Sequence, residues 1–106
     1  MEADPIAQVA INAVGQLNVK PATAQFPFIW REAMEVHWNA EGAFLYSPVP
    51  REWTYADWFQ QILEAARVQG CLLQLTGATL WLNVPDSLKR ELEAAAAEGS
   101  TPPASE

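Results

Sequence analysis

The sequence contains few of the side chains that usually build reactive sites. Its 106 residues include one cysteine, Cys71, and one histidine, His37. A single cysteine excludes an internal disulfide framework and fits a reducing compartment, so we expect a cytoplasmic protein. A structural zinc site takes about four cysteine or histidine ligands, so no metal site is predicted. We also expect no enzyme, because a buried cysteine and a surface histidine are a simpler interpretation than a Cys71–His37 nucleophile pair.

Positive charge is also scarce. Six lysines and arginines stand against 13 acidic residues, which gives a net charge of −7, and only Lys89 and Arg90 are adjacent bases. Nucleic acids and anionic membranes are bound through clustered basic side chains, so neither partner is predicted. The N-terminal segment has no basic start and no apolar run long enough to span a bilayer, which argues against a signal peptide or a membrane helix. Glycine-rich phosphate-binding motifs are absent, and no cofactor is predicted.

Apolar and aromatic residues, in contrast, are abundant. Half of the residues are hydrophobic, 18% are charged, and five are tryptophans. This composition is typical of a folded chain, and the length suffices for one domain. A domain this small buries a limited fraction of its surface, so large rings that each hide about 150–250 Å² compensate for its size.

The first 25 residues are predicted to form a helix and a linker. In "DPIAQVAINAVGQL", Asp4 can cap a helix, Pro5 suits the first helical position, and apolar residues recur at helical spacing. The following "NVKPATAQFPF" contains two prolines and small residues, which is typical of a connector.

A hairpin and a helix are predicted next. "MEVHWN" alternates with Val36 and Trp38 inside and His37 outside, and the "AFLYS" strand follows a turn in which Gly42 supplies the positive φ. "TYADWFQQILEAARVQG" is the clearest helix, with Thr54 and Asp57 as a capping box and Gly70 as a left-handed stop.

The remaining residues are predicted to repeat this order. "CLLQLTGATLWLNV" suggests a second hairpin with Leu80 and Leu82 in the core, and "PDSLKRELEAAAAEG" suggests a last helix. The predicted fold class is therefore α+β, with a four-stranded antiparallel sheet from two β-hairpins (ββαββα), helices on one face and an additional N-terminal helix. We assign residues 26–99 to this ββαββα domain and residues 100–106 to a disordered tail.

The predicted sheet has one face without helices, and an aromatic patch is expected there. Such exposed apolar surface tends to mark contact with a partner. Three occupants remain open: the N-terminal helix or tail of the same chain, a second copy in a homodimer, or a different protein. The predicted partner-binding residues are Trp81, Tyr46, Phe44, Leu72 and His37.

Resemblances to two protein families imply the same kind of partner binding. In its helix–hairpin–helix order, "ILEAARVQGCLLQLTGATLWLNVPDSLKRELEAA" resembles the TubC-type docking domains of nonribosomal peptide and polyketide megasynthases, in which the hairpin captures a partner's C-terminal segment. "SPVPREWTYADWFQQIL" followed by "LWLNVPDSLKREL" resembles small cyanobacterial single-domain proteins, among them a carboxysome assembly chaperone that grips a C-terminal extension. Both resemblances imply that a short partner segment is held against a small sheet.

We therefore expect a non-catalytic protein-binding adaptor or assembly chaperone that holds a short or C-terminal segment of a partner on a sheet face or edge. One alternative is a structural homodimer with the aromatic face as its interface. Another is a small-molecule or pigment carrier that uses the tryptophan-rich surface as a pocket.

Overall fold

Six strands and two helices are formed by the residues that the computed structural model describes, which are 2–26, 29, 35–51 and 53–100. Their bounds in chain order are β1 Glu2–Ile11, β2 Leu17–Pro21, β3 His37–Asn39, β4 Phe44–Tyr46, α1 Tyr55–Val68, β5 Cys71–Gln74, β6 Leu80–Leu82 and α2 Asp86–Ser100.

The predicted N-terminal helix is wrong, because residues 2–21 form an antiparallel hairpin of β1 and β2. Val9 lies opposite Val19, and Ile11 lies opposite Leu17. The register shifts between Ile6 and Gln8, where a β-bulge adds one residue to β1. This extra residue puts Ile6 and Val9 on the same buried side although they are three apart. A bulged strand thereby acquires the i, i+3 spacing of a helix, which explains the error.

The turn between β1 and β2 is closed by a side chain. The Asn12 Oδ1 accepts hydrogen bonds from the backbone N–H of Val14 at 3.1 Å and of Gln16 at 2.9 Å. Asparagine favours such local bonding in turns over a helical interior. The Tyr55 hydroxyl donates to the carbonyl of Gly15 at 2.9 Å, which ties this turn to the first residue of α1.

The predicted second hairpin is also wrong. Both β5 and β6 run parallel to β1, with Ala3 opposite Leu72 and Val9 opposite Trp81. Residues 71–82 thus follow one side of β1 as a strand that is interrupted between Gln74 and Leu80. At the interruption the Thr79 hydroxyl, which is buried, donates to the Ile6 carbonyl at 2.7 Å. The internal repeat of hairpin and helix suggested by the sequence therefore does not exist.

The β3–β4 hairpin and the two later helices of the prediction are confirmed. β3 pairs antiparallel with β4, and Trp38 lies opposite Leu45 on the buried side. α1 begins at the predicted capping box: Asp57 N–H donates to the Thr54 hydroxyl at 3.1 Å, and the Asp57 carboxylate accepts from Thr54 N–H at 3.0 Å. After α1, Gly70 has the expected positive φ of 90°.

The sheet is mixed and larger than predicted. Its strand order is β3-β4-β2-β1-β5, with β6 also paired to β1, so the α+β class is confirmed whereas the four-stranded antiparallel arrangement is not. Buried strand residues on one face join buried helix residues in one core. α2 packs on α1, where the Gln60 side-chain amide donates to the Ala95 carbonyl at 3.2 Å. The core combines residues of the sheet and of both helices: Ile6, Val9, Leu17, Val19, Leu45, Phe59, Ile62, Leu73 and Leu92.

Candidate protein-binding face

The sheet face opposite this core carries two rows of neighbouring side chains. Residues directly opposite each other in paired strands point to the same side of a sheet, so the register defines each row. The first row crosses β3, β4, β2, β1 and β6 in the order His37, Tyr46, Asn18, Ala10 and Leu82. The second row contains Asn39, Phe44, Lys20, Gln8 and Leu80, with Lys20 placed opposite Phe44 by continuing the β2–β4 register. We call these ten residues the open face.

Three of the predicted binding residues form a ring cluster at one end of the open face. The ring centroids of His37 and Tyr46 are 5.4 Å apart, and those of Phe44 and Tyr46 are 6.0 Å apart. All three belong to the confirmed β3–β4 hairpin, whose alternation places them away from the core. The sequence therefore identified this cluster from local pattern alone.

The other two predicted residues are not part of this cluster. Leu72 lies on β5 opposite Ala3, on the same side of the sheet but farther along β1. Trp81 lies opposite the fully buried Val9, which places it on the helix-covered side, and the Lys89 ammonium of α2 is 5.6 Å from its ring centroid. Its assignment to the uncovered face is wrong.

Leu80 and Leu82 occupy the position on the open face that was predicted for Trp81. Their exposed fractions are 60% and 51%, so both leave much of their apolar surface in water. The alternation in "TLWLN" separates these two leucines from Trp81, but it does not say which side faces the core. The parallel pairing of β6 with β1 decides this, and no local signal in the sequence reports it.

The open face differs in charge from the rest of the molecule. Although the chain carries 13 acidic residues, none of the ten face residues is acidic, and Lys20 is the one lysine or arginine among them. Among the described residues, Lys20 has no ion-pair partner. The face therefore offers apolar and aromatic surface around a single ammonium group.

One polar atom of the open face lacks a hydrogen-bond donor. The side-chain Oδ1 of Asn18, between Tyr46 and Ala10 in the first row, is buried and accepts no hydrogen bond. A buried acceptor without a donor costs about 1–3 kcal/mol. Asn18 therefore does not contribute to stability through this oxygen.

The lone histidine and the lone cysteine lie far apart in the sheet, and the described residues form no metal-binding cluster. His37 and Cys71 lie on β3 and β5, at opposite ends of the strand order, so they form no nucleophile pair. No group of three or more histidine, cysteine or acidic side chains comes together within the described ranges. In the same part of the chain, neither helix has the length and hydropathy needed to cross a bilayer.

Comparison with known proteins identifies relatives of this sequence. A family model described as Integron Cassette Protein Hfx_Cass5 matches residues 4–78. A solved structure titled "Structure from the mobile metagenome of North West Arm Sewage Outfall: Integron Cassette Protein Hfx_Cass5" is 50% identical over 92% of this chain and 98% of that chain, with a TM-score of 0.47. No match was found among curated protein sequences.

These relatives contradict both resemblances inferred from the sequence. The matching family is neither the carboxysome-assembly chaperones nor the TubC-type docking domains, and the related protein comes from a sewage metagenome, not a cyanobacterium. The resemblance to TubC-type docking domains depended on the helix–hairpin–helix order, and the second hairpin does not exist.

Proposed function

The chain belongs to the family of the integron cassette protein Hfx_Cass5, and because that name states no activity, we propose from the surface itself that the protein is a non-catalytic protein-binding module. Its binding surface is the open face. The occupant is an apolar C-terminal segment of a partner protein.

The observation that carries the proposal is the apolar surface left on the open face. Leu80 and Leu82 are more than half exposed at one end, and the His37–Tyr46–Phe44 cluster lies at the other. Burying a whole leucine side chain stabilises a complex by about 1.5–3 kcal/mol, so covering these half-exposed residues gains roughly 1 kcal/mol each. Aromatic residues add anchors of the kind that dominate protein interfaces.

The charge pattern specifies the chemistry of the partner. Lys20 lies in the second row between Phe44 and Gln8, and no carboxylate of the open face neutralises it. A C-terminal carboxylate bound there would gain a charge-assisted hydrogen bond. Five strands about 4.8 Å apart make the face about 19 Å wide, which an extended segment of about six residues can cross.

Docking on the face is favoured over addition to the sheet edge. β3 and β5 end the strand order and could each accept another strand, but they contain three and four residues and therefore offer few main-chain hydrogen bonds. Apart from the buried Ala10, the side chains of the open face are at least partly exposed and provide more contact than these short edges.

The experiment is a selection from a display library of random peptides with free C-termini. We expect wild-type protein to enrich apolar sequences ending in a free carboxylate. The dissociation constant of an enriched peptide, measured by fluorescence polarisation, should rise at least tenfold in Leu82→Glu, because a carboxylate would replace the exposed apolar surface of Leu82, which the peptide covers. Amidating the peptide or introducing Lys20→Met should weaken binding by a similar factor.

Val14→Glu is the matched control for Leu82→Glu. Val14 is 66% exposed in the β1–β2 turn, so the same charge is introduced outside the open face. It should leave peptide affinity unchanged. A library that yields no enriched peptide, or peptides that bind Leu82→Glu as well as wild type, would contradict the proposal.

A homodimer through the open face is the second candidate. The absence of acidic residues from this face lets two chains of charge −7 meet without juxtaposing carboxylates. Sedimentation of the same proteins separates the candidates: a wild-type dimer that Leu82→Glu converts to a monomer, with no peptide selected, favours the homodimer.

The cytoplasmic location that we propose is supported by a single cysteine that lies in the core.

A further inference from the structure

A cleft lies at the start of α1, away from the open face. It is lined by Gln16 after the β1–β2 turn, Glu35 before β3, Val49, Arg51 and Trp53 between β4 and α1, and Trp58 in α1. We call it the tryptophan cleft. Its volume of about 710 Å³ falls within the range of small-molecule sites, which is about 300–1,000 Å³.

Long-range hydrogen bonds hold the walls of the tryptophan cleft. Leu17 N–H donates to the Ser47 hydroxyl at 3.2 Å, and Ser47 N–H donates to the Leu17 carbonyl at 3.0 Å. The Tyr55 hydroxyl bonds the carbonyl of Gly15 beside Gln16. Three segments of the wall are thereby fixed to one another before a ligand arrives, which lowers the entropic cost of binding.

Two indole rings form a corner of the cleft. The centroids of Trp53 and Trp58 are 4.6 Å apart, with 46° between the ring planes. Trp58 is buried in the core, whereas 39% of Trp53 stays exposed. The buried ring supports the exposed one and restricts its position. Trp53 thus presents apolar ring surface on which a planar molecule can stack.

Among the described lining residues of the cleft, Arg51 is the one cation and Glu35 the one carboxylate. Both side chains are exposed, and among the described residues neither Arg51 nor Glu35 takes part in an ion pair. An arginine side chain binds a carboxylate through two parallel N–H groups. Glu35 has a φ of 62°, a left-handed conformation that is uncommon for a residue with a Cβ atom.

We propose that the tryptophan cleft binds a small aromatic carboxylate that carries a hydrogen-bond donor. Its ring stacks on Trp53, its carboxylate pairs with Arg51, and its donor bonds the carboxylate of Glu35. Glu35 and the net charge of −7 disfavour molecules with several negative charges, such as nucleotide phosphates. This site is separate from the open face, because none of its lining residues belongs to either row.

Anthranilate is the probe for this proposal, because it combines a ring, a carboxylate and an amino group. We expect the ¹⁵N-labelled protein to show saturable shifts of tryptophan indole N–H signals in two-dimensional NMR. For a ligand with about ten heavy atoms, a dissociation constant of about 1 mM or tighter is expected. The Trp53 signal is assigned by its loss in Trp53→Leu.

Three variants and two further probes make the result decisive. Arg51→Met should weaken anthranilate binding at least tenfold, whereas Arg90→Met, at an exposed arginine of α2, should leave it unchanged. Leu82→Glu should also retain binding, which separates this site from the open face. Aniline, which lacks the carboxylate, and cyclohexanecarboxylate, which lacks both the aromatic ring and the amino group, should bind at least tenfold more weakly.

Three outcomes would overturn the proposal: the absence of saturable shifts in the folded wild type, equal binding by Arg51→Met and wild type, or cyclohexanecarboxylate binding as tight as that of anthranilate. Circular dichroism establishes that each variant is folded. If Trp53→Leu fails to fold, Arg51→Met alone decides the result.

Discussion

At the residue scale, Trp81 has the largest difference between its predicted and its observed role. It is half-buried on the helix side of the sheet and packs against the core, with Lys89 near its ring. Trp81→Ala should therefore lower the free energy of unfolding by about 2–3 kcal/mol, somewhat less than truncation of a fully buried tryptophan. Chemical denaturation measures this loss, and Leu80→Ala on the exposed side should cost less than about 1 kcal/mol.

A Trp81→Ala protein with wild-type stability would contradict the placement of this residue. If the variant instead lost peptide binding while keeping its stability, the partner surface would have to be moved to the helix side of the sheet.

Asp4 provides a second residue-scale prediction, through pH. Burial by itself raises the pKa of Asp4, but its carboxylate accepts hydrogen bonds from the Thr23 hydroxyl at 2.6 Å, from Thr23 N–H at 3.0 Å and from Ala24 N–H at 3.1 Å, and the net effect is a lowered pKa. A carboxyl whose pKa is lower in the folded state stabilises the protein above its unfolded pKa of about 3.9. This stabilisation is lost as the pH falls through the lower folded value.

Asp4→Asn isolates this contribution from that of other carboxyl groups. At neutral pH the variant should be less stable by about 1–3 kcal/mol, because it weakens hydrogen bonds to a buried charged group. The difference in unfolding free energy between wild type and variant should then shrink as the pH is lowered below about 4. A difference that stays constant over this pH range would disprove the role of ionised Asp4.

At the element scale, the β3–β4 turn shows why a glycine can be required for space alone. Gly42 was expected to supply the positive φ, but Ala43 adopts it, at 57°. A Cβ atom on Gly42 would lie 2.3 Å from a ring carbon of Phe44. Gly42→Ala should therefore lower stability by about 1–3 kcal/mol, because the ring must move.

Ala43→Gly is the substitution to compare with Gly42→Ala. It relieves the left-handed alanine and should raise stability by about 0.5–1 kcal/mol in thermal or chemical denaturation. Equal effects of the two substitutions would mean that φ and ring contact do not distinguish these neighbouring positions.

Local signals predicted the elements that depend on near neighbours. The capping box of Thr54 and Asp57, the apolar stripe of α1 and the alternation around Trp38 all act within a few residues. β1 was mistaken for a helix because its bulge beside Ala7 imitates helical spacing. A bulge depends on the partner strand, so the strand's own sequence does not reveal it.

At the scale of the whole molecule, the N-terminal strand organises the sheet. β1 contacts β2 on one side and both β5 and β6 on the other, so the sheet is complete only when residues 71–82 pack against residues 2–10. The contact between the Thr79 hydroxyl and the Ile6 carbonyl spans 73 positions of sequence. Pairings of this length have no local signature, and a one-residue change of register exchanges the two faces of a strand.

Some residues of the candidate site were likewise predictable from local sequence, whereas others depended on long-range strand pairing. His37, Phe44 and Tyr46 were predicted as neighbours because one short hairpin contains them. Leu80 and Leu82 were assigned to the core, because two leucines on one side of a short strand usually face inward. The parallel pairing of β6 with β1 places them outward beside Ala10 and Gln8.

The sequence by itself determined the α+β class, both helices, the β3–β4 hairpin and the neighbouring aromatic rings, because caps, alternation and tight turns act over a few residues. Only the tertiary structure decided that the N-terminal segment is a strand, that residues 71–82 lie parallel to it, and that Leu80 and Leu82 face outward. Those features depend on which distant segment supplies hydrogen-bonding partners, and this is settled when the whole chain packs around one core.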